Sequence, residues 1–111
     1  MDIKIKEKDI ERNILIYLNS LPCTFAWKNH SVGVFDPIKK TFRKPKSKFL
    51  INGVADIICL KAGIVFFLEV KSSIGKQTVC QKDFGENISK RGGRYYVVRS
   101  IDDVKNVIGE L

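Results

Sequence analysis

The stretch from Gly53 to Lys71 constrains this chain more than any other: an aspartate, Asp56, precedes an apolar hairpin that ends in Glu69-Val70-Lys71. Acidic and basic side chains converge there on strands built from Ile, Phe, Leu and Val. Burying unpaired charge is costly, so such a strand carries a carboxylate and an ammonium only where they meet a partner or a ligand. A metal ion is the ligand these residue types best suit. Side chains alternate across a strand, which puts Glu69 and Lys71 on one face with Val65 and Phe67. A turn of two unpaired residues, Ala62 and Gly63, sets Asp56 directly opposite Glu69. A loop of odd length sets it opposite Leu68 and requires a β-bulge to bring the acids together.

The elements around the hairpin follow from periodicity. From Glu7 to Leu21, Ile10, Ile14, Tyr17, Leu18 and Leu21 recur at helical spacing, and Pro22 closes the helix. Thr24 to Val34 is aromatic and β-branched enough for one strand, followed by a turn at Asp36-Pro37. Strands are expected at Val54–Leu60 and Ile64–Ser72, a helix over Gly75–Arg91 closed by Gly92-Gly93, and a strand over Arg94–Arg99. The last helix is capped by Ser100, with Asp102 and Asp103 at the positive end of its dipole and Val104, Val107, Ile108 and Leu111 on its core face. The order is helix, three strands, helix, strand, helix: an α/β core with a mixed sheet.

At 111 residues and 44% hydrophobic content the chain builds one modest core, so residues 1–111 read as a single domain. Twenty Lys plus Arg against twelve Asp plus Glu give a formal charge of +8, which favours polyanionic partners such as nucleic acid. Between Pro37 and Leu50 lie Lys39, Lys40, Arg43, Lys44, Lys46 and Lys48 with no acid, and with Phe42 and Phe49 interleaved. Such a run suits an arm that tracks phosphates, although a flexible solvated segment has the same composition. Lys76, before the second helix, is a further candidate phosphate contact. Cys23, Cys59 and Cys80 are odd in number, far apart and flanked by apolar residues, which reads as reduced buried thiols of a cytosolic protein. No apolar run approaches the roughly 20 residues that span a bilayer.

Phosphodiester hydrolysis needs a metal to polarise the scissile phosphate, and hard ions such as Mg²⁺ prefer carboxylate, water and carbonyl oxygen. Asp56 and Glu69 supply the acids, and the backbone carbonyl of Val70 a third oxygen. Lys71 can orient the attacking water or stabilise the transition-state charge. A further acid is available on the first helix at Glu11 or Glu7, with Glu11 preferred.

Gly53-Val54-Ala55-Asp56, Glu69-Val70-Lys71-Ser72, the downstream Gln81 and Gly92-Gly93 leading into Tyr96-Val97-Val98 resemble the PD-(D/E)XK nuclease superfamily. More narrowly the chain looks like a VRR-NUC, or virus-type replication-repair nuclease, domain of the stand-alone phage or bacterial kind. The resemblance runs from about Glu11 to Asp103. It implies a restriction-endonuclease-like core and a DNA endonuclease dependent on Mg²⁺ or Mn²⁺, with Asp56, Glu69, Lys71, Gln81 and Glu11 at the site. It further implies a homodimer cutting branched DNA such as four-way, Holliday-type junctions, in DNA repair or replication, in the cytoplasm of a bacterium or phage-infected host. One departure is Ala55, where the superfamily's name-giving proline stands. That proline contributes no catalytic atom, and the spacing of thirteen between Asp56 and Glu69 is what a two-strand hairpin requires.

Plainer readings compete. Glu69 and Lys71 could form a same-face surface ion pair worth little, Gln81 could be a helix-surface amide, and Glu11 could simply be solvated beside Arg12. The single histidine, His30, argues against mechanisms that use several imidazoles. Trp27 and the phenylalanines are more often core than stacking platforms. A DNA-binding module of phage replication or recombination that has the fold but does not cut is the alternative to the nuclease. A sequence-specific restriction enzyme fits a 111-residue chain less well.

Overall fold

The computed structural model describes residues 6–29, 34–36, 41–43, 51 and 53–108, with 34–36 and 41–43 described as backbone. The elements are α1 (Glu7–Asn19), β1 (Thr24–Lys28), β2 (Val34–Asp36), β3 (Thr41–Arg43), β4 (Ile57–Lys61), β5 (Ile64–Val70), α2 (Val79–Lys90), β6 (Arg94–Val98) and α3 (Ile101–Ile108). Four strands form a mixed sheet in the order β1-β4-β5-β6, antiparallel except for the parallel β5–β6 pair that α2 connects. A parallel neighbour requires such a crossover, whereas antiparallel strands need only a turn.

The main sheet has the expected three strands before α2 and one after it. The expected strand over Thr24–Val34 is corrected: β1 stops at Lys28, and Val34 opens a separate two-stranded hairpin, β2–β3, inserted before β4. Asn29 and Gly33, residue types depleted in strands, fall in the interval. Arg43 lies on β3, while Lys39, Lys40, Lys44, Lys46, Lys48, His30 and Leu111 lie outside the described residues.

Alternation along the strands divides the sheet into two faces. Ala26, Ile57, Cys59, Phe66, Leu68, Val70 and Val98 point to one side, where Ile14 and Leu18 of α1 and Val104 and Ile108 of α3 complete the core. Burying the Val, Leu, Ile and Phe side chains among these stabilises the fold by roughly 1.5–3 kcal/mol each. On the opposite face α2 packs over β5 and β6, with the Phe84 ring edge-on to Phe67 at 5.5 Å and to Tyr95 at 5.8 Å.

Local chemistry explains the boundaries. The β4–β5 turn is the two-residue form, with Ala62 at φ 49° and Gly63 at φ 84°. Positive φ at both central residues is the type I′ requirement, and glycine meets it without a Cβ penalty. Asn19, at the end of α1, donates to the Ala26 carbonyl (3.0 Å) and accepts from the Ala26 N–H (2.9 Å). One side chain thus covers both outward backbone groups of an edge-strand residue and ties α1 to the sheet. Ser100 caps α3 by accepting the Asp103 N–H at 3.2 Å. The cysteines are all free, but only Cys59 is buried; Cys23 and Cys80 are exposed, contrary to expectation. Cys23 sits in the turn before β1, and Cys80 lies in the first turn of α2 on its outer side. Burial pushes the Cys59 thiol up, against the opposing charge of Lys61.

Candidate active site

The hairpin register fixes the site. Ile57 pairs with Leu68 and Lys61 with Ile64, so the two-residue alternative is the one adopted and its next rung is Asp56 opposite Glu69. The Asn29 N–H donates to the Asp56 carbonyl at 2.7 Å, which extends the β1–β4 ladder by one rung. The chain bends at Asp56, and its Oδ2 accepts the Val70 N–H at 2.9 Å. The carboxylate thereby takes the place of a ladder partner and is held beside the end of β5. In an extended strand a residue's N–H and C=O leave from the same edge, so the Val70 carbonyl is directed to the Asp56 side.

Glu69 is wholly buried and Lys71 nearly so. Gln81 Nε2 donates to Glu69 Oε1 at 2.6 Å, and Lys71 Nζ lies 3.7 Å from the same oxygen. Glu69 Oε2 is buried with no hydrogen-bond partner, the one such side-chain atom among the described residues. The Glu69 carboxyl is pushed up to about 8, first by burial, then by the charge of Asp56 and a hydrogen bond with its carboxyl, with Glu7 adding and Lys71 opposing. Two carboxyl oxygens share a hydrogen bond only when one carries a proton. Ionised, the pair therefore leaves Oε2 unsatisfied, and either a proton or a cation relieves it.

Gln81 is oriented by more than its contact with Glu69. Its backbone N–H donates to Thr78 Oγ1 (3.2 Å), and its Oε1 accepts the Thr78 N–H (2.8 Å), a reciprocal capping box at the start of α2. With Oε1 engaged by the cap, the amide can present only its NH₂ end to Glu69. Thr78 is a positioning residue that sequence reasoning missed, although Thr78-x-x-Gln81 is a readable capping signature. Tyr95 was missed as well. Its hydroxyl accepts from Gln77 Nε2 at 2.9 Å and donates to the Gln81 carbonyl at 3.4 Å. Burial leads the rise of its phenol to about 12.

The structure brings together Asp56, Glu69, Lys71 and Gln81. Glu11 sits elsewhere: it is buried on α1, in the layer against the opposite sheet face, with an ion pair to Lys28 at 3.1 Å. Glu7 is the α1 acid whose charge acts on Glu69. Ala55, immediately before Asp56, is fully buried. Lys76 is exposed and lines a groove of about 540 Å³ with Lys82 and Arg99. Arg99 is anchored there by the Ser72 and Gly75 carbonyls at 2.5 and 2.8 Å.

Among the described residues no three Asp, Glu, His or Cys side chains group closely enough to hold a metal. The donor set is two carboxylates and a directed backbone carbonyl. Mg²⁺ is commonly held by one or two carboxylates together with water and substrate phosphate, so this set fits it, and the unsatisfied Glu69 Oε2 marks where positive charge is wanted. No helix among the described residues is long and apolar enough to cross a membrane.

No protein-family model matches the chain, and no curated protein matches it. A solved structure described as a VRR_NUC domain protein superposes with a TM-score of 0.63 at 19% identity, over 96% of this chain and 88% of that one. At this identity the likeness concerns architecture. The four-stranded mixed sheet with its three helices is a VRR-NUC-like fold.

Proposed function

We propose that the protein is a divalent-metal-dependent, structure-selective endodeoxyribonuclease that hydrolyses phosphodiester bonds in branched DNA, with four-way junctions as the preferred substrate. The observation that carries this reading is Glu69: a fully buried carboxyl beside Asp56, gripped by Gln81 and Lys71, with one oxygen left without a partner. A structural ion pair does not need that orphan oxygen. Asp56, Glu69 and the Val70 carbonyl would hold Mg²⁺ or Mn²⁺, with Glu7 contributing outer charge. When bound, the ion supplies Lewis-acid charge at the scissile phosphate and lowers the pKa of water. Lys71 then orients the nucleophile and stabilises charge developing on the phosphate, and Gln81 keeps Glu69 in place.

A stand-alone phage or bacterial origin, a homodimer and a repair or replication setting accompany this reading, since two symmetric cuts at a junction need two sites. The chain's charge of +8 suits a DNA partner. A second reading, the non-cleaving DNA-binding module, is favoured by the absence of a third acid at the carboxylate pair among the described residues. Cleavage of labelled four-way junction, flap and linear duplex with Mg²⁺ or Mn²⁺ separates the two. Junction cutting at paired positions is expected. Tight junction binding with no cutting under either metal moves the assignment to the binding module.

A further inference from the structure

The aromatic residues of β1 are not core. Phe25 is 64% and Trp27 41% exposed, and their ring centroids lie 5.4 Å apart at an interplanar angle of 49°. The register shows which face they occupy. Trp27 pairs with Ile58 and Ile58 with Phe67, while Phe25 pairs with Leu60 and Leu60 with Val65. These rungs follow directly on the Asp56–Glu69 rung, and alternation puts all of them on the carboxylate face. Helix α2 covers that face only over β5 and β6. Over β1 and β4 no described element packs on it, with Leu60 at 40% and Val65 at 43% exposure.

We propose that Phe25 and Trp27 form a stacking platform for unpaired nucleobases of the DNA strand whose phosphate reaches the Asp56–Glu69 pair. The inference rests on the nuclease reading and deepens it, because it gives the enzyme a contact to nucleotides freed from pairing where strands branch beside the cleavage point. Strand geometry puts the Trp27 Cα about 8 Å from that of Asp56, within the reach of a nucleotide or two. An aromatic surface next to an electropositive chain is what binds single strands irrespective of sequence, because every base offers a π-face. A second copy of the chain is the poorer occupant. The partly exposed side chains present on the order of a few hundred Å², short of the roughly 800 Å² per partner of a stable interface, and each copy brings a charge of +8.

Trp27 is the sole tryptophan, so its emission reports the platform directly. The test titrates the whole chain, in EDTA, with a thymidine oligonucleotide and with an abasic oligonucleotide of equal length and charge. Labelled-strand anisotropy follows affinity in parallel for wild type, Trp27→Phe and Trp27→Leu. Quenching by the base-bearing strand alone is expected, with affinity about tenfold weaker in Trp27→Leu and nearly wild type in Trp27→Phe. Equal response to the two strands overturns the proposal. So does an emission change that follows protein concentration without DNA, which assigns the face to a second copy. Cleavage is excluded by the EDTA, so the two readings fail separately: cutting without quenching removes only the platform, and quenching without cutting under any metal removes only the nuclease.

Discussion

Gly53 lies against the start of α2, and replacing it by alanine is a quantitative test of how the site is assembled. Its φ is +81°, and a Cβ built there falls 2.4 Å from the Cys80 carbonyl carbon and oxygen and 2.6 Å from the Gln81 nitrogen. Those are backbone atoms, so no side chain can swing aside. Gly63, in the β4–β5 turn, has nearly the same φ of +84° but nothing within 4 Å of the added carbon. The left-handed conformation costs an L-residue roughly 1–2 kcal/mol in either place. Overpacking against fixed backbone adds about 1–3 kcal/mol at Gly53 alone. Gly63→Ala is therefore expected to lose about 1–2 kcal/mol and Gly53→Ala about 2–5 kcal/mol, read from urea unfolding followed by circular dichroism. At roughly 4–8 °C per kcal/mol for a small domain, the melting temperatures should separate by several degrees or more. The relief available to Gly53→Ala is a shift of α2 away from the Gly53–Asp56 segment, which draws Gln81 off Glu69. Its cleavage rate should then fall at temperatures where the chain remains folded, while that of Gly63→Ala persists. Equal stability losses in the two variants would refute the contact and the reasoning built on it.

In EDTA, the raised Glu69 pKa makes the folded state hold a proton that the unfolded chain releases above its ordinary value of 4.5. The stabilising contribution is full below that value and is lost as pH rises to about 8. Wild type should therefore lose urea resistance between pH 5 and 8.5 more steeply than Glu69→Gln, and Mg²⁺ should restore it at the alkaline end; parallel profiles contradict the buried-acid account. Thr78→Ala should cost about 1 kcal/mol by removing the α2 cap and slow cleavage by releasing the Gln81 amide, whereas Thr78→Ser retains both, as single-turnover rates beside unfolding curves would reveal. Replacing Lys39, Lys40, Lys44 and Lys46 by glutamine should flatten the salt dependence of DNA affinity by about 0.9 in slope per lost phosphate contact. An unchanged slope means that the basic segment points away from DNA.

Much of the site was legible because its geometry is local. A hairpin with Ala62-Gly63 at its tip admits few registers, and the one that puts Asp56 opposite Glu69 is the one formed. The amphipathic helices were readable for the same reason: Ile14, Leu18, Val104 and Ile108 fall on the faces their spacing assigns. What sequence left open depends on contacts between distant elements. The α1 acids Glu7 and Glu11 are one turn apart, and only the packing of α1 on the sheet shows that Lys28 occupies Glu11 while the charge of Glu7 acts on Glu69. The exposure of Phe25 and Trp27 was hidden likewise, because alternation says that they share a face but not that α2 leaves that part of it open. The small alanine Ala26, rather than its aromatic neighbours, faces the core beneath α1. Its backbone is claimed by Asn19, a pairing across seven residues that no periodicity encodes.

The most direct test of the central claim is single-turnover cleavage of a labelled four-way junction across a Mg²⁺ titration, wild type beside Lys71→Ala, with junction affinity measured for both in Ca²⁺. The account predicts Mg²⁺-dependent cutting by the wild type, and a variant that binds the junction comparably yet does not cut it. Full activity in Lys71→Ala would contradict the assignment of Asp56, Glu69 and Lys71 as the hydrolytic centre.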